Sequence, residues 1–488
     1  MKVPLLGNPY QGRISIASGQ RAINLYAESN DPSPQSPFEF TQYPTPGSAL
    51  FSSVVVPAGA NGKVRGIYRT TQGGAYIVVG STVYALTSNG GTSYVGSIPD
   101  LPSQVYMYDN GLVTVLVDGT ATGYAIDITT NAFGTIIDPS FLGADFVVYL
   151  DTFFVFNRPG TNQFYISLSL VNFSLLTAGI SFDPLDIAAK SGSADNIASI
   201  VVLHQNLWLI GTLTTEIWIG TGSADFFFQQ VQGAYIDHGS VAPYSAANQD
   251  VVAFWLMQDR EGYGIIVKAT GYDVSEISTP YIVSQIQSYI TVADAIGFCF
   301  QLDDHSFYAI VFPTANVAWL YDLSTEQWCE WGVLDAQGNI DRPRANCCMF
   351  VFGKVLVGDY ANGQIFELDS DIYTDVGEPI YRLRTFMHMV NSLNRISYKQ
   401  FIAYMEAATA NPPGAPIDFP VFLRWSDDGG KTFGNPVQQN LGQGGDFGRQ
   451  VYWNRLGMAR DRIFELTWSA PFETALNGAY VDTQEHAS

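Results

Sequence analysis

Asn206-Leu207-Trp208-Leu209-Ile210-Gly211, a short gap, then Glu216-Ile217-Trp218-Ile219-Gly220 form a pattern that recurs along most of this 488-residue chain. Each half is an apolar and aromatic run long enough for one strand, and the gap suits a turn. The same pair appears as Ala75-Tyr76-Ile77-Val78-Val79-Gly80 with Val83-Tyr84-Ala85-Leu86, and as Lys354-Val355-Leu356-Val357-Gly358 with Gln364-Ile365-Phe366-Glu367-Leu368. Looser copies lie at 113–128, 153–166, 251–267 and 307–323, so seven units start about 40–55 residues apart. Recurrence at this period is the mark of a β-propeller, in which each blade is a small antiparallel sheet. The reading is therefore all-β, a propeller of about seven blades. The competing reading is two or three ordinary β-sandwiches. Gly80, Gly211 and Gly358 are expected at turns that need positive φ.

Outward from the repeats the character changes at both ends. Residues 1–50 are proline-rich and aperiodic, as expected of an extended arm laid over another surface. Beyond the repeats Tyr381, Leu383 and Thr385 alternate with Arg382 and Arg384, and Phe419, Val421, Leu423 and Trp425 with Pro420, Phe422 and Arg424. Phe464, Leu466 and Trp468 repeat the theme, so a β-sandwich with one covered and one wetter face is expected there. Charge breaks at the same place. Residues 1–378 hold 13 basic and 35 acidic groups, and residues 379–488 hold 10 of each, for a net charge of −22. The expected division is an arm at 1–50, a propeller at 51–378 and a sandwich at 379–488.

Composition narrows the functional classes. Hydrophobic residues make up 47% and charged residues 14%, enough apolar material for a large core and too little charge for disorder. No apolar run approaches the length of a membrane-spanning helix, so no membrane insertion is expected. The apolar part of Met1–Gly7 is too short for a secretion signal. Cys299, Cys329, Cys347 and Cys348 match no zinc or redox spacing and are read as structural thiols. Neither a nucleophile elbow, a phosphate loop nor a His-Glu-x-x-His motif occurs. His204, His238, His305, His388 and His486 are scattered, with His204 and His305 expected in turns or at the surface. Asp303-Asp304 reads as solvated turn charge, and Gly262-x-Gly264 lacks a dinucleotide site's third glycine. No basic stripe marks a nucleic-acid reader. No catalytic residue, cofactor or metal is therefore expected.

The sharpest local motif is Ser426-Asp427-Asp428-Gly429-Gly430-Lys431-Thr432-Phe433. It fits the Asp-box, with Ser426, Asp428, Gly430, Thr432 and Phe433 in the motif positions. Short Ser and Asp side chains bond nearby backbone while glycine permits the reversal. A structural turn is expected. The box also opens a rival reading, a sialidase-like or lectin-type carbohydrate-active propeller, with Arg65, Arg69, Arg158 and Arg260 as candidates for an arginine cluster.

Three stretches together resemble the tail hub, or packaged-DNA stabilisation (nozzle), proteins of short-tailed bacteriophages. They are Gln20-Arg21-Ala22-Ile23-Asn24-Leu25-Tyr26-Ala27-Glu28 with Tyr43-Pro44-Thr45-Pro46-Gly47; the hairpin Arg424–Phe433; and Leu441-Gly442-Gln443-Gly444-Gly445 running into Trp453-Asn454-Arg455-Leu456-Gly457 and Ala459–Leu466. The resemblance implies a virion tail protein that forms a homohexameric ring below the portal and its adaptor. Such a ring continues the DNA channel, retains the packaged genome and attaches a needle or plug and tailspikes or fibres. DNA would pass without specific binding, and assembly would take place in the host cytoplasm. Asn24, Leu25 and Tyr26 are the suspected assembly segment.

Overall fold

In the computed structural model the described residues are 2–5, 10–11, 19–30, 39–57, 59–223, 225–258, 262, 264–391, 394–407, 419–442 and 449–485. Arg260, His486 and Gln443-Gly444-Gly445 lie outside them.

Five four-stranded antiparallel sheets follow one another, and two further four-strand units sit within larger sheets. The innermost strands of these seven blades are Val64–Arg69, Tyr106–Asp109, Val147–Leu150, Ile197–Leu203, Ala247–Gln249, Ile296–Leu302 and Ala345–Val351. Each neighbours the next, and the seventh returns to the first. There the Asn346 amide nitrogen donates to the Val64 carbonyl at 2.9 Å. Every interface between blades has its own apolar core, from Val78 against Met107 between blades 1 and 2 to Leu356 against Val64 between blades 7 and 1. Each of the seven sequence repeats is the second and third strand of one blade. These strands are covered on both faces, so their sequences are nearly continuous apolar runs.

The glycines of the repeat divide. Gly80 takes φ +54° as a turn requires. Gly211 and Gly358 do not have positive φ; a Cβ there would lie 2.1 Å from Lys190 Nζ and 2.4 Å from Val64 Cγ1 respectively. Close approach, not turn geometry, excludes a side chain at these two positions.

The N-terminal segment departs from the expected arm. Its strands β1 (Gly19–Ile23), β2 (Leu25–Ser29), β3 (Phe40–Pro44) and β4 (Gly47–Ser53) all enter sheets of the same chain. β4 pairs with Gln364–Asp369 and supplies the outermost strand of blade 7, so the propeller is closed by chain from before its first blade.

The longer strands beyond the propeller are β5 (Arg382–Thr385), β6 (Ile396–Ala407), β7 (Pro420–Ser426), β8 (Val437–Asn440), β9 (Arg449–Asn454), β10 (Asp461–Trp468) and β11 (Thr474–Glu485). One sheet has the order β2-β3-β11-β6-β9. The other, β1-β5-β10-β7-β8, continues directly from the outer strand of blade 6, Gln327–Glu330. Phe401, Trp453, Phe464, Leu466 and Trp468 form the core between them. The sandwich is thus completed by N-terminal strands: β1, β2 and β3, with the two-residue strands Lys2–Val3 on β11 and Tyr10–Gln11 on β1. The expected wet face of β5 is also dry, for Arg382 is 0% exposed and Arg384 1%. Arg382 donates to the carbonyls of Ala470 and Tyr373, and Arg384 to that of Leu5. Burial pushes both guanidinium groups down to about 10.

Candidate functional site

Two places combine exposure or charge with defined geometry: the channel along the propeller axis, and the junction between blade 6 and the sandwich.

The channel encloses about 950 Å³ between the inner strands. Its wall is mainly apolar, with Tyr106, Ile200, Phe298, Phe300 and Met349, interrupted by amides such as Gln104 and Asn248. Arg65 is the only Lys or Arg among the described lining residues. It is spent on the carbonyls of Gly80, Pro99 and Ser103, at 2.8–3.0 Å. Of the other arginine candidates, Arg158 bonds Gln163 and Arg69 is exposed, and neither lines the channel. Asp303 and Asp304 form an exposed two-residue turn at the lining, with φ +47° and +63°. That is the type I′ geometry of a hairpin, and Asp tolerates it well. Cys299, Cys347 and Cys348 also line the channel, and burial pushes each thiol up, Cys347 to about 12. All four cysteines are free thiols.

The junction is built on Asn24, which separates β1 from β2 with φ +54°. Its backbone N–H donates to the Glu330 carbonyl at 2.9 Å. Its amide nitrogen donates to the carbonyls of Gly332 and Tyr381, at 2.7 and 2.8 Å, and its amide oxygen accepts from Gly332 N–H at 3.0 Å. One side chain therefore ties blade 6 to the strand entering the sandwich. Beside it Arg21 Nε and Nη2 each reach Glu330 at 2.6 Å. Burial works against that guanidinium charge, and the Glu330 carboxylate more than offsets it, so Arg21 is held above its ordinary value.

Asn24 is 0% and Leu25 2% exposed. The suspected assembly segment Asn24, Leu25 and Tyr26 therefore lies at the junction within its own chain. Asn24 and Leu25 are buried within their own chain, and the half-buried Tyr26 packs its ring 4.9 Å from His305 and 5.5 Å from Phe307. His305 is buried as well, against the expected turn or surface position. No local signal could have found these residues, because their partners lie about 280–360 positions away.

The Asp-box folds as a turn at the end of β7. Ser426 Oγ donates to Asp428 Oδ1 at 2.7 Å and accepts from Gly430 N–H at 2.8 Å. Asp428 also accepts from the amides of Lys431 and Thr432 and from the Thr432 hydroxyl at 2.6 Å. The Thr432 hydroxyl and amide, with the Ser426 hydroxyl and the Lys431 amide, hold the Asp428 carboxyl well below the usual carboxylate range. Phe433 stacks on Arg424, 4.8 Å from the ring centre. Behind the box, the buried Arg462 pairs with Asp427 at 2.6 and 2.7 Å and lies over Tyr398 at 4.5 Å. The box belongs to the sandwich, not to a blade corner.

Among the described residues no group of three or more His, Cys, Asp or Glu is arranged to hold a metal ion. A propeller closed by its own N-terminal strand and fused edge-on to a sandwich defines the class as a β-propeller protein with an attached β-sandwich.

The family model for the bacteriophage P22 Gp10 β-propeller, a phage stabilisation protein, matches residues 42–373. The chain belongs to this family, and it is a structural protein of a bacteriophage virion. Among solved structures it is similar to the WD40 β-propeller domain of Doa1, at 10% identity and a TM-score of 0.40, covering 66% of this chain and 97% of that one. It is also similar to BamB from Moraxella catarrhalis, at 11% identity and a TM-score of 0.37, covering 72% and 97%. No curated protein sequence matches.

Proposed function

We propose that the chain is the subunit of a ring, six copies in the closed form, that makes the tail hub or nozzle of a short-tailed phage. The ring continues the DNA channel below the portal and adaptor, keeps the packaged genome in place, and holds a needle or plug together with tailspikes or fibres. The observation that carries this reading is the family match over residues 42–373. Two features of the chain support it. The propeller and the sandwich share a continuous sheet, which suits a rigid building block. The net charge of −22 gives the wall of such a channel little to grip phosphate with. On this reading the protein acts by shape and not by catalysis, in the tail of the virion, after assembly in the host cytoplasm.

Native mass of the purified protein, and of the complex released from virions, tests the proposal. A sixfold mass in the virion-derived complex is the expected result. A protein that is monomeric in both, and that hydrolyses any of a panel of sialosides and other glycosides, would overturn it in favour of the carbohydrate-active reading.

A further inference from the structure

The junction contains a titratable group that the structural role does not use. His305 begins the second strand of blade 6 and is 7% exposed. Its Nδ1 lies 2.9 Å from Asp322 Oδ2, on the third strand of the blade, and 2.9 Å from Ser324 Oγ. Its Nε2 lies 4.0 Å from Glu28 Oε2, on β2. The two ring nitrogens thus face carboxylates on two different elements. One belongs to the propeller and the other to the N-terminal strand of the sandwich.

The surroundings favour a cation. Three carboxylates act on the ring: Asp322, Glu28 and Asp303 of the adjoining turn. None of the three pairs with a Lys or Arg among the described residues. Tyr26 of β2 packs against the imidazole at 4.9 Å with the two rings inclined by 64°, and Phe307 of the blade stacks at 5.9 Å. Burial alone would lower the histidine, but the Asp322 bond and the carboxylate charges raise it above its ordinary value.

The two carboxylates depend on that proton unequally. Asp322 also accepts from Ser324 N–H at 2.9 Å, from the Ser324 hydroxyl at 2.5 Å and from the Thr325 hydroxyl at 2.8 Å, so it stays satisfied beside a neutral ring. Glu28, half exposed at 50%, has His305 and no Lys or Arg as its ion-pair partner among the described residues. It would then face Asp303 and Asp322 with no compensating charge and turn toward water.

We propose that His305 is a proton-operated clasp between the propeller and the sandwich. Charged, it holds Glu28 and strand β2 against blade 6. Neutral, it releases them while leaving the blade intact. The sign follows from the raised value: the clasp is fully closed below the ordinary histidine range and opens as pH rises through the folded value.

Hydrogen exchange of the full-length protein from pH 5.5 to 8.5, corrected for intrinsic exchange, tests the clasp. Protection of the β2 amides at 25–29 should fall by at least about three-fold as pH rises, with distant blades unchanged. His305→Gln should flatten that dependence, leaving β2 at its high-pH protection throughout. Glu28→Gln, at an exposed position that spares the Asp322 bonds, should flatten it too and serves if the first variant does not fold. His388→Gln, which touches only the Asp461 pair within the sandwich, should keep the wild-type dependence. An unchanged pH dependence in the His305 or Glu28 variant, or one spread equally over all blades, would overturn the proposal. Neither outcome bears on ring formation, so its failure is distinct from failure of the proposed function.

Discussion

Replacing Asn24 is the most direct test of how the two halves are joined. Asn24→Ala removes three side-chain hydrogen bonds, two donated and one accepted. All three engage backbone groups of Gly332 and Tyr381, and Asn24 itself is 0% exposed, so water cannot simply replace them. At about 1 kcal/mol of net stability each, the loss is about 3 kcal/mol. Alanine must also adopt φ +54°. For a residue with a Cβ and no local polar compensation, that adds about 1 kcal/mol. The expected cost of Asn24→Ala is therefore about 4 kcal/mol, and that of Asn24→Gly, which takes the angle freely, about 3 kcal/mol.

Urea unfolding followed by tryptophan fluorescence reads the total, and exchange of the β2 amides shows whether the junction opens first. A chain with two cores can unfold in steps, so the first transition is the one to compare. A shift below about 1 kcal/mol for Asn24→Ala, with β2 protection intact, would refute the view that this side chain clamps the junction.

Three further outcomes are expected. The depressed Asp428 carboxyl contributes stability above its unfolded value, near pH 4, and loses it as pH falls toward the folded value. Melting curves of wild type and Asp428→Asn should therefore differ at neutral pH and converge on acidification; curves that stay parallel down to the lowest pH would contradict this. Deleting residues 1–18 removes the buried Val3 and Leu5 and should lower the melting temperature without abolishing the fold, whereas deleting 1–53 also takes β1–β4 and should leave the chain unable to close blade 7. Circular dichroism and size exclusion distinguish the two, and a native-like Δ1–53 protein would show that closure does not need β4. Finally, with a net charge of −22 the purified protein should show no duplex DNA binding at about 0.15 M salt, and micromolar affinity by anisotropy would prove that wrong.

The repeat was legible because of where its strands lie. Second and third blade strands such as Leu207–Ile210 and Ile217–Trp218 are buried on both faces and carry unbroken apolar runs. First and fourth strands are not marked in this way. Ala247–Gln249 is only three residues long, and Asp273–Glu276 is largely exposed. The Asp-box was legible because its bonds span at most four residues. The junction was not, because Ile23 meets Glu330 and Asn24 meets Tyr381 across most of the chain. Proline content in the first fifty residues misled for a related reason. It signals the absence of a regular local period, which an arm and a closing strand share.

The pairing pattern has a mechanical consequence. From Ile296–Leu302 at the channel wall to β8 at the far edge of the sandwich runs one path of nine hydrogen-bonded strands. At about 4.8 Å between neighbours the path spans roughly 40 Å. A force on the sandwich edge is carried to the channel wall along this ladder, without a flexible linker to absorb it. The ladder is uneven. Blade 6 contributes seven paired positions between its first two strands, and β7 with β10 contributes six. Between Gln327–Glu330 and β1 there is one pair, Ile23 with Glu330. The step between propeller and sandwich is therefore the weakest rung by backbone pairing alone. It is here that the chain concentrates side-chain contacts: Arg21 on Glu330, Asn24 on Gly332 and Tyr381, and the 4.0 Å approach of Glu28 to the His305 ring that Asp322 holds. A ladder fails at its weakest rung, so stiffness across the junction is set by these few side chains, and one of them responds to protons.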